Sequence, residues 1–433
     1  MSGGPAHPVV RNPLQSSFLS FPEGTRLVEP PEASPGLTFP KGFVAAGVAA
    51  GIKESGRLDL GLVTSSPECV DAAVGAGVFT RNSFAAAPVI VSRRETSLDS
   101  LSAVVMNSGN ANAVTGAPGL AVARAMQSAA AQALGLPINR VGVGSTGVIG
   151  QPLDGAKAVA GIEAAAAQLT SEGGPVFAQA IMTTDRFPKV CALEVSTRDG
   201  VVRIAGAAKG AGMIAPGLAT MLCVVTTDAG VSASVARSML AREVGRTFNR
   251  ISVDGQMSTN DTVFLLANGA SGVQLSADGA AQLGGALRAL LLRLALMMVA
   301  DGEGATKVMR LNVLGAGTDE EAQTVARAVA GSPLVQTAMY GCDPNWGRIL
   351  SAAGAALPGR AFPDVALEIG GVALLEKSTP VVLDPEGAER LQEVMAGPEV
   401  DIRLDLGSGH GSDIVYFADI GHEYVTINAE YHT

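Results

Sequence analysis

KGAGMIAPGLATMLCVVTTD, residues 209–228, passes from loop to strand within a few positions. Its first half holds Lys209, several glycines and Pro216, the composition of a turn-rich loop. From Thr220 onward, "TMLCVVTTD" is β-branched and apolar up to a polar stop, which reads as a buried core strand. A small hydroxyl, Thr220, stands at the first residue of that strand, beside the flexible loop. Threonine is common at strand starts, so the residue alone decides nothing.

Outward from this stretch, short β-like runs alternate with alanine-rich helical runs. "APVIVSRR" (87–94) and "LSAVVMNSG" (101–109) read as strands. "GLAVARAMQSAAAQALG" reads as a helix closed by Gly135 and Pro137. "DGAKAVAGIEAAAAQL" and "SASVARSMLAREVGRTF" are further helices, followed by the apolar run that ends at Ala300. Thr318 to Glu321 ("TDEE") forms a capping box that opens another helix through Ala330. The last quarter is strand-rich, in "VALEIGGVAL", "DIRLDLG" and "DIVYFADI". Such alternation indicates an α/β chain with mixed sheets sandwiched by helices. At 433 residues the chain exceeds the size at which one core stops growing, so two lobes are expected. Residues 1–37 hold seven of the 23 prolines and read as a flexible arm. The closing "INAEYHT" (427–433) alternates apolar and polar residues, which suggests a tethered terminus.

Composition limits the function. Apolar residues make up 47% and charged residues 16%, ample for sizeable cores. The net charge is −10 with no long Lys/Arg cluster, which argues against nucleic acid or an anionic membrane as partner. A small anionic substrate needs only one or two local cations. Cys69, Cys191, Cys223 and Cys342 are scattered without metal-ligand spacing, and read as small hydrophobes in a reducing cytosol. No basic-then-apolar leader stands at the N-terminus. The apolar helix core at 285–300, interrupted by Arg288 and Arg293, reads as too short and too charged to span a bilayer.

Several stretches are dense enough in polar groups to carry chemistry. "GVGSTG" (142–147) matches the dinucleotide pattern G-x-G-x-x-G, but that pattern needs a helix starting inside it, and "VIGQPLDG" follows. The same Gly-rich turn, with Ser145, Thr146 and backbone N–H groups, is also what an oxyanion hole requires, or an inert turn. His410 sits in "GSGHGSD", yet no strained G-x-S-x-G elbow accompanies it. "DGQMSTNDT" (254–262) and "CDPNWGR" (342–348) are polar clusters between apolar flanks, consistent with side-chain caps in loops.

Taken together, ten stretches in order resemble the ornithine acetyltransferases, the bifunctional glutamate N-acetyltransferases of arginine biosynthesis. They are "PKGFVAAGVAAGIK" (40–53), "GVFTRN" (77–82), "NSGNANAVTG" (107–116), "STGVIG" (145–150), "IMTTD" (181–185), "KGAGMIAPGLATML" (209–222), "STNDT" (258–262), "DGEGATK" (301–307), "GCDPNWGRI" (341–349) and "YVTINAEYHT" (424–433). Gly217-Leu218 stands where the family usually has Asn-Met, and Val114 replaces a common Cys. Residues 1–37 have no counterpart.

The resemblance implies a self-cleaving enzyme with an N-terminal-nucleophile mechanism. The precursor would cut itself between Ala219 and Thr220, giving fragments 38–219 (with the arm before it) and 220–433 that share the lobes. The freed amine of Thr220 would then serve as base for its own hydroxyl. Thr146 and Gly147 match the oxyanion-hole pair. Thr183, Lys209, Thr220, Glu303, Asn428 and Thr433 match the substrate contacts: Lys209 for a carboxylate, Glu303 for the ammonium of ornithine, Asn428 and Thr433 for polar closure. The implied reaction moves acetyl from N2-acetyl-L-ornithine to L-glutamate through an acetyl ester on Thr220. It implies no metal and no organic cofactor, admits acetyl-CoA as a co-substrate, and suggests a cytoplasmic heterotetramer of two α and two β chains. The rival is a related N-terminal-nucleophile amidohydrolase or aminopeptidase that uses water as acceptor.

Overall fold

The strand expected from "TMLCVVTTD" runs over Leu222–Thr227 and is buried at every position. The computed structural model describes residues 16–32, 36–215, 221–362, 364–407 and 409–430. Leu222–Thr227 lies inside a six-stranded sheet with the order Thr25–Val28, Lys189–Thr197, Gly200–Lys209, Leu222–Thr227, Thr262–Ala267, Val74–Phe79. It pairs antiparallel with Gly200–Lys209 and parallel with Thr262–Ala267, so the sheet is mixed.

The two-residue period of a strand sends alternate side chains to opposite faces. Leu222, Val224, Phe264 and Leu266 meet Phe43, Val63, Val104 and Met106 of a second sheet. That sheet has the order Phe43–Val48, Leu60–Ser65, Ala103–Asn107, Val141–Ser145. Cys223, Val225, Val263 and Leu265 face the other way, onto Leu240, Leu287, Leu290 and Leu294 of the helices Ala233–Gly245 and Ala277–Ala300. The outer face of the four-stranded sheet packs Leu62, Val105 and Val143 against Met126 and Ile162 of the helices Gly116–Leu134 and Gly155–Ala166. Four layers result, helix–sheet–sheet–helix, with apolar contact across each boundary.

A second lobe follows from Val308. Its seven-stranded sheet has the order Ile251–Ser252, Gly411–Ala418, Val308–Ala316, Glu399–Asp405, Ala366–Ile369, Val372–Glu376, Thr379–Pro380. It carries its own core, in which Leu311, Val313, Ile402 and Leu404 meet Val325 and Val329 of the helix Asp319–Ala330. Ile251–Ser252 pairs with Gly411–Ala418 and so stitches this sheet to the chain of the first lobe. The α/β class, the mixed sheets between helices and the two lobes are therefore as the sequence indicated. Strands from either side of position 220 share one sheet, so residues 38–219 and 220–433 both build the first lobe.

The helices start where their caps dictate. The side chains of Asp154, Ser232, Ser276, Thr318 and Asp384 each accept a first-turn N–H. Three sequence expectations need correction. "APVIVSRR" is the helix Ala87–Arg94, not a strand: Pro88 occupies the first turn, where its missing N–H costs nothing, and Val89 and Val91 are buried. Residues 16–32 and 36–37 of the supposed flexible arm belong to the fold. Thr25–Val28 is an edge strand on Lys189–Thr197, and Phe18 and Leu37 enter the core. The apolar helix is longer than expected, 24 residues from Ala277, which is enough to cross a membrane by length and composition. Here 83% of its most apolar stretch is buried inside the protein. The C-terminal segment, up to Glu430, is the helix His422–Glu430, and Asn428 ties it to Glu303.

Candidate active site

Thr146, Gly147, Thr183, Lys209, Glu303 and Asn428, all singled out in the sequence, line one cavity of about 170 Å³. Ala219, Thr220 and Thr433 lie outside the described residues. The cavity forms where strands from both sheets of the first lobe end. Val141–Ser145 delivers Thr146 and Gly147, and Gly200–Lys209 delivers Lys209 as its last residue. Thr183 follows the short helix Gly174–Ala180, Glu303 follows Ala277–Ala300, and Asn428 comes from His422–Glu430.

Local geometry explains the glycines. Gly147 has φ +132°, and a Cβ there would stand 2.3 Å from the Gly109 carbonyl carbon. No side chain fits, so the backbone itself forms this part of the wall. No helix begins within "GVGSTG"; the next one starts at Gly155 behind its Asp154 cap. The nucleotide-loop geometry is thus missing, since among the described residues no helix starts within the turn. At Gly212 a Cβ would come within 2.7 Å of the Glu303 carboxylate, so glycine is what lets that carboxylate seat.

The electrostatics are set by burial. Lys209 is 2% exposed, and its Nζ donates to Thr146 Oγ1 at 3.2 Å. Among the described residues no carboxylate lies within salt-bridge distance of it. Burial lowers its pKa; Asp185 and Glu303 oppose that, and Lys189 adds to it. A hydroxyl that accepts from an ammonium keeps its own hydrogen to donate, so Thr146 is left as a donor. Glu303, 8% exposed, accepts from Asn428 Nδ2 at 2.8 Å.

Behind this wall sits a network that sequence reading missed. Lys189 Nζ bonds Asp185 Oδ1 and Asp301 Oδ2, each at 2.6 Å, with all three side chains fully buried. Asp185 also accepts the amides of Gly210 at 2.7 Å and Thr183 at 2.9 Å. Burial works against its charge, but Lys189 and Lys209 outweigh it and hold the carboxyl well below the usual range. Asp185 therefore fixes the backbone on both sides of the cavity. The stretch "IMTTD" (181–185) gives no hint of this, because Asp185 and Lys189 meet Asp301 only through the fold.

"DGQMSTNDT" did carry a signal. Asp254, Gln256, Ser258 and Asn260 line the cavity, so the stretch is more than a capped loop. "CDPNWGR" instead leads into the helix Trp346–Ala356 of the second lobe. His410 is exposed, which fits no buried triad. Burial pushes the Tyr424 phenol up to about 12, with Asp254 and Glu303 adding to it.

Comparison with known proteins places this geometry in context. The ArgJ family model matches residues 44–433. The arginine biosynthesis bifunctional protein ArgJ of Nitratidesulfovibrio vulgaris is 47% identical over 393 residues, 90% of this chain and 98% of that protein. The protein of the same name from Symbiobacterium thermophilum is 45% identical over 407 residues, 92% of this chain and 98% of its own length. A solved ornithine acetyltransferase from Mycobacterium tuberculosis, complexed with ornithine, aligns at 40% identity over 46% of this chain and 100% of its own, with a TM-score of 0.40. A match from residue 44 to residue 433, with relatives this similar along nearly their whole length, establishes that the chain belongs to the ArgJ family.

Proposed function

We infer that the chain is a self-cleaving acetyltransferase of arginine biosynthesis, moving acetyl from N2-acetyl-L-ornithine to L-glutamate through an acetyl ester on Thr220. The observation that carries this reading is the convergence of Thr146, Gly147, Thr183, Lys209, Glu303 and Asn428 on one cavity. These residues come from distant parts of the sequence, and family membership gives the convergence a chemical meaning.

Maturation begins when Thr220 Oγ attacks the Ala219 carbonyl carbon. The C–O bond forms, the C–N bond breaks, and the hydroxyl proton ends on the departing nitrogen. Water then hydrolyses the ester and frees the α-amine of Thr220. An α-amino group titrates near pH 8, so a useful fraction is neutral at physiological pH and can act as a base.

In turnover, Thr220 Oγ attacks the acetyl carbonyl of acetylornithine while its amine takes the hydroxyl proton. The oxyanion is held by the Thr146 hydroxyl and the Gly147 N–H. The amine passes its proton to the leaving nitrogen, and ornithine departs. Glutamate's neutral amine then attacks the ester, its proton returns through the Thr220 amine to Oγ, and N-acetylglutamate leaves. One amide bond is broken and one made, in two easier steps. Lys209 pairs with a substrate carboxylate, Glu303 with the ornithine ammonium, and Thr183, Asn428 and Thr433 complete the polar wall. The route calls on no metal and no organic cofactor. Its setting is the cytoplasm, in a heterotetramer of two 1–219 and two 220–433 chains.

The test is acetylornithine consumption with and without glutamate, and N-acetylglutamate formation with acetyl-CoA as the alternative donor. Glutamate-dependent consumption is expected. Equal consumption without glutamate overturns transfer in favour of hydrolysis.

Lys209→Ala gives a second check. A desolvated charge-assisted pair contributes about 1.5–3 kcal/mol, roughly 10- to 150-fold in affinity. The variant should fold and lose that much in kcat/KM for acetylornithine. Wild-type kinetics would remove Lys209 from the carboxylate contact.

A further inference from the structure

The segment that must cut itself joins Ala215 to Met221, and both of its flanks are tied to one stretch of chain. On the incoming side, Asp254 accepts the N–H of Ile214 at 2.9 Å and that of Met213, which has φ +56°. In return the Ile214 carbonyl accepts Val253 N–H at 2.8 Å. On the outgoing side, Asp261 Oδ1 accepts Met221 N–H at 3.0 Å, and the Met221 carbonyl accepts Thr262 N–H at 3.0 Å. Residues 253–262 therefore grip the chain immediately before and immediately after the scissile segment.

The gripping stretch is itself immobilised. Asn260 Nδ2 donates to the carbonyls of Ala111 at 2.6 Å and Ser145 at 2.8 Å. Ser145 directly precedes Thr146, so one asparagine links the stretch to the cavity wall. Thr80 N–H donates to the Asp261 carbonyl at 2.9 Å, and Thr80 Oγ1 to that of Ser258 at 2.8 Å. A pinned stretch that holds both flanks fixes where Ile214 and Met221 stand relative to one another, and such fixed placement is what an intramolecular attack on a neighbouring carbonyl requires.

We propose that residues 254–261 are the template of self-cleavage, with Asp254 and Asp261 as positioning residues that hold the two flanks of the scissile segment. Neither carboxylate needs to exchange a proton with the reacting atoms. Burial pushes the Asp261 carboxyl well above the usual carboxylate range, against the Met221 amide and Lys209. Asp261 presents a single oxygen, Oδ1, to the Met221 N–H, and an asparagine side chain reproduces that acceptor. Asp254 differs. Its Oδ1 takes Ile214 and, at 3.1 Å, Gln256, while its other oxygen takes Met213. An asparagine keeps only one of these acceptor oxygens.

This inference rests on the self-cleavage reading, so wild type and variants are followed together. Full-length precursor is made by cell-free synthesis, and conversion to two fragments is timed on denaturing gels and by intact mass. Thermal unfolding of the purified chains reports the fold. Wild type should cleave; if it does not, the self-cleavage reading itself fails. Asp254→Ala and Asp261→Ala should cleave about 10- to 100-fold more slowly, the scale of a misplaced attack geometry. Asp261→Asn should cleave within about threefold of wild type, and Asp254→Asn should fall between its alanine variant and wild type. The asparagine variants keep the side-chain volume, so they decide the matter if the alanine variants do not fold. Alanine variants that cleave at the wild-type rate, or a folded Asp261→Asn that cleaves as slowly as Asp261→Ala, overturn the proposal while leaving self-cleavage intact.

Discussion

Thr220→Ala should fold, migrate as one intact chain on a denaturing gel, and transfer no acetyl. The substitution deletes a hydroxyl and a methyl two positions before the strand Leu222–Thr227, which is fully buried. The strand keeps its partners on both sides, Gly200–Lys209 and Thr262–Ala267, so the sheet does not depend on the lost atoms. In the proposed mechanism the chemistry depends on them twice. Before maturation the oxygen is the attacking atom on Ala219. Afterwards it carries the acetyl group, assisted by an amine that exists only because cleavage occurred. Thr220→Ser keeps the oxygen and should cleave at least in part. Wild type should give two fragments of similar size, the second beginning Thr-Met-Leu-Cys. An intact, fully active wild-type chain would sink the mechanism, because an amide nitrogen at Thr220 cannot act as the base.

The fold was legible wherever a local rule decides structure. Leu222–Thr227 follows from an apolar β-branched run, and Asp319–Ala330 from its Thr318 cap. Reading failed where context outweighs pattern. In "APVIVSRR" the β-branched valines and isoleucine favour a strand, but Pro88 starts a helix and burial of Val89 and Val91 holds it. Phe18 and Leu37 could not be placed from a Pro-rich composition, because their burial depends on surfaces that form only when distant strands meet. The cavity divides the same way. Thr146 and Gly147 stand in a recognisable turn, whereas Asp185, Lys189 and Asp301 join only in three dimensions. A carboxylate in "IMTTD" and another in "DGEGATK" look like ordinary surface charges until Lys189 brings them together. The resemblance named six residues that line the cavity, and the polar groups that hold those residues in place remained for the structure.

Thr146→Ala should lower kcat by about 10²–10³ and leave KM for acetylornithine nearly unchanged. The reason lies in when the hydroxyl acts. Lys209 Nζ already donates to Thr146 Oγ1 at 3.2 Å, which orients the oxygen and leaves its hydrogen for a second acceptor. A ground-state carbonyl gains little from that donor, but a tetrahedral oxyanion, with a full charge in a partly dry cavity, gains much more. Removing the hydroxyl therefore raises the barrier without weakening the complex that precedes it. The loss should not spread to the lysine. Burial lowers the pKa of Lys209, and Asp185 and Glu303 oppose that, with or without the Thr146 hydroxyl, so its contact to a substrate carboxylate persists. Gly147 is unaffected as well, because its φ is set by the close approach of Gly109. Thr146→Ser restores the donor on a smaller side chain and should recover most of the rate. Should Thr146→Ala instead raise KM with kcat kept, the hydroxyl binds the substrate's ground state, and the oxyanion would have to rest on Gly147 and other donors.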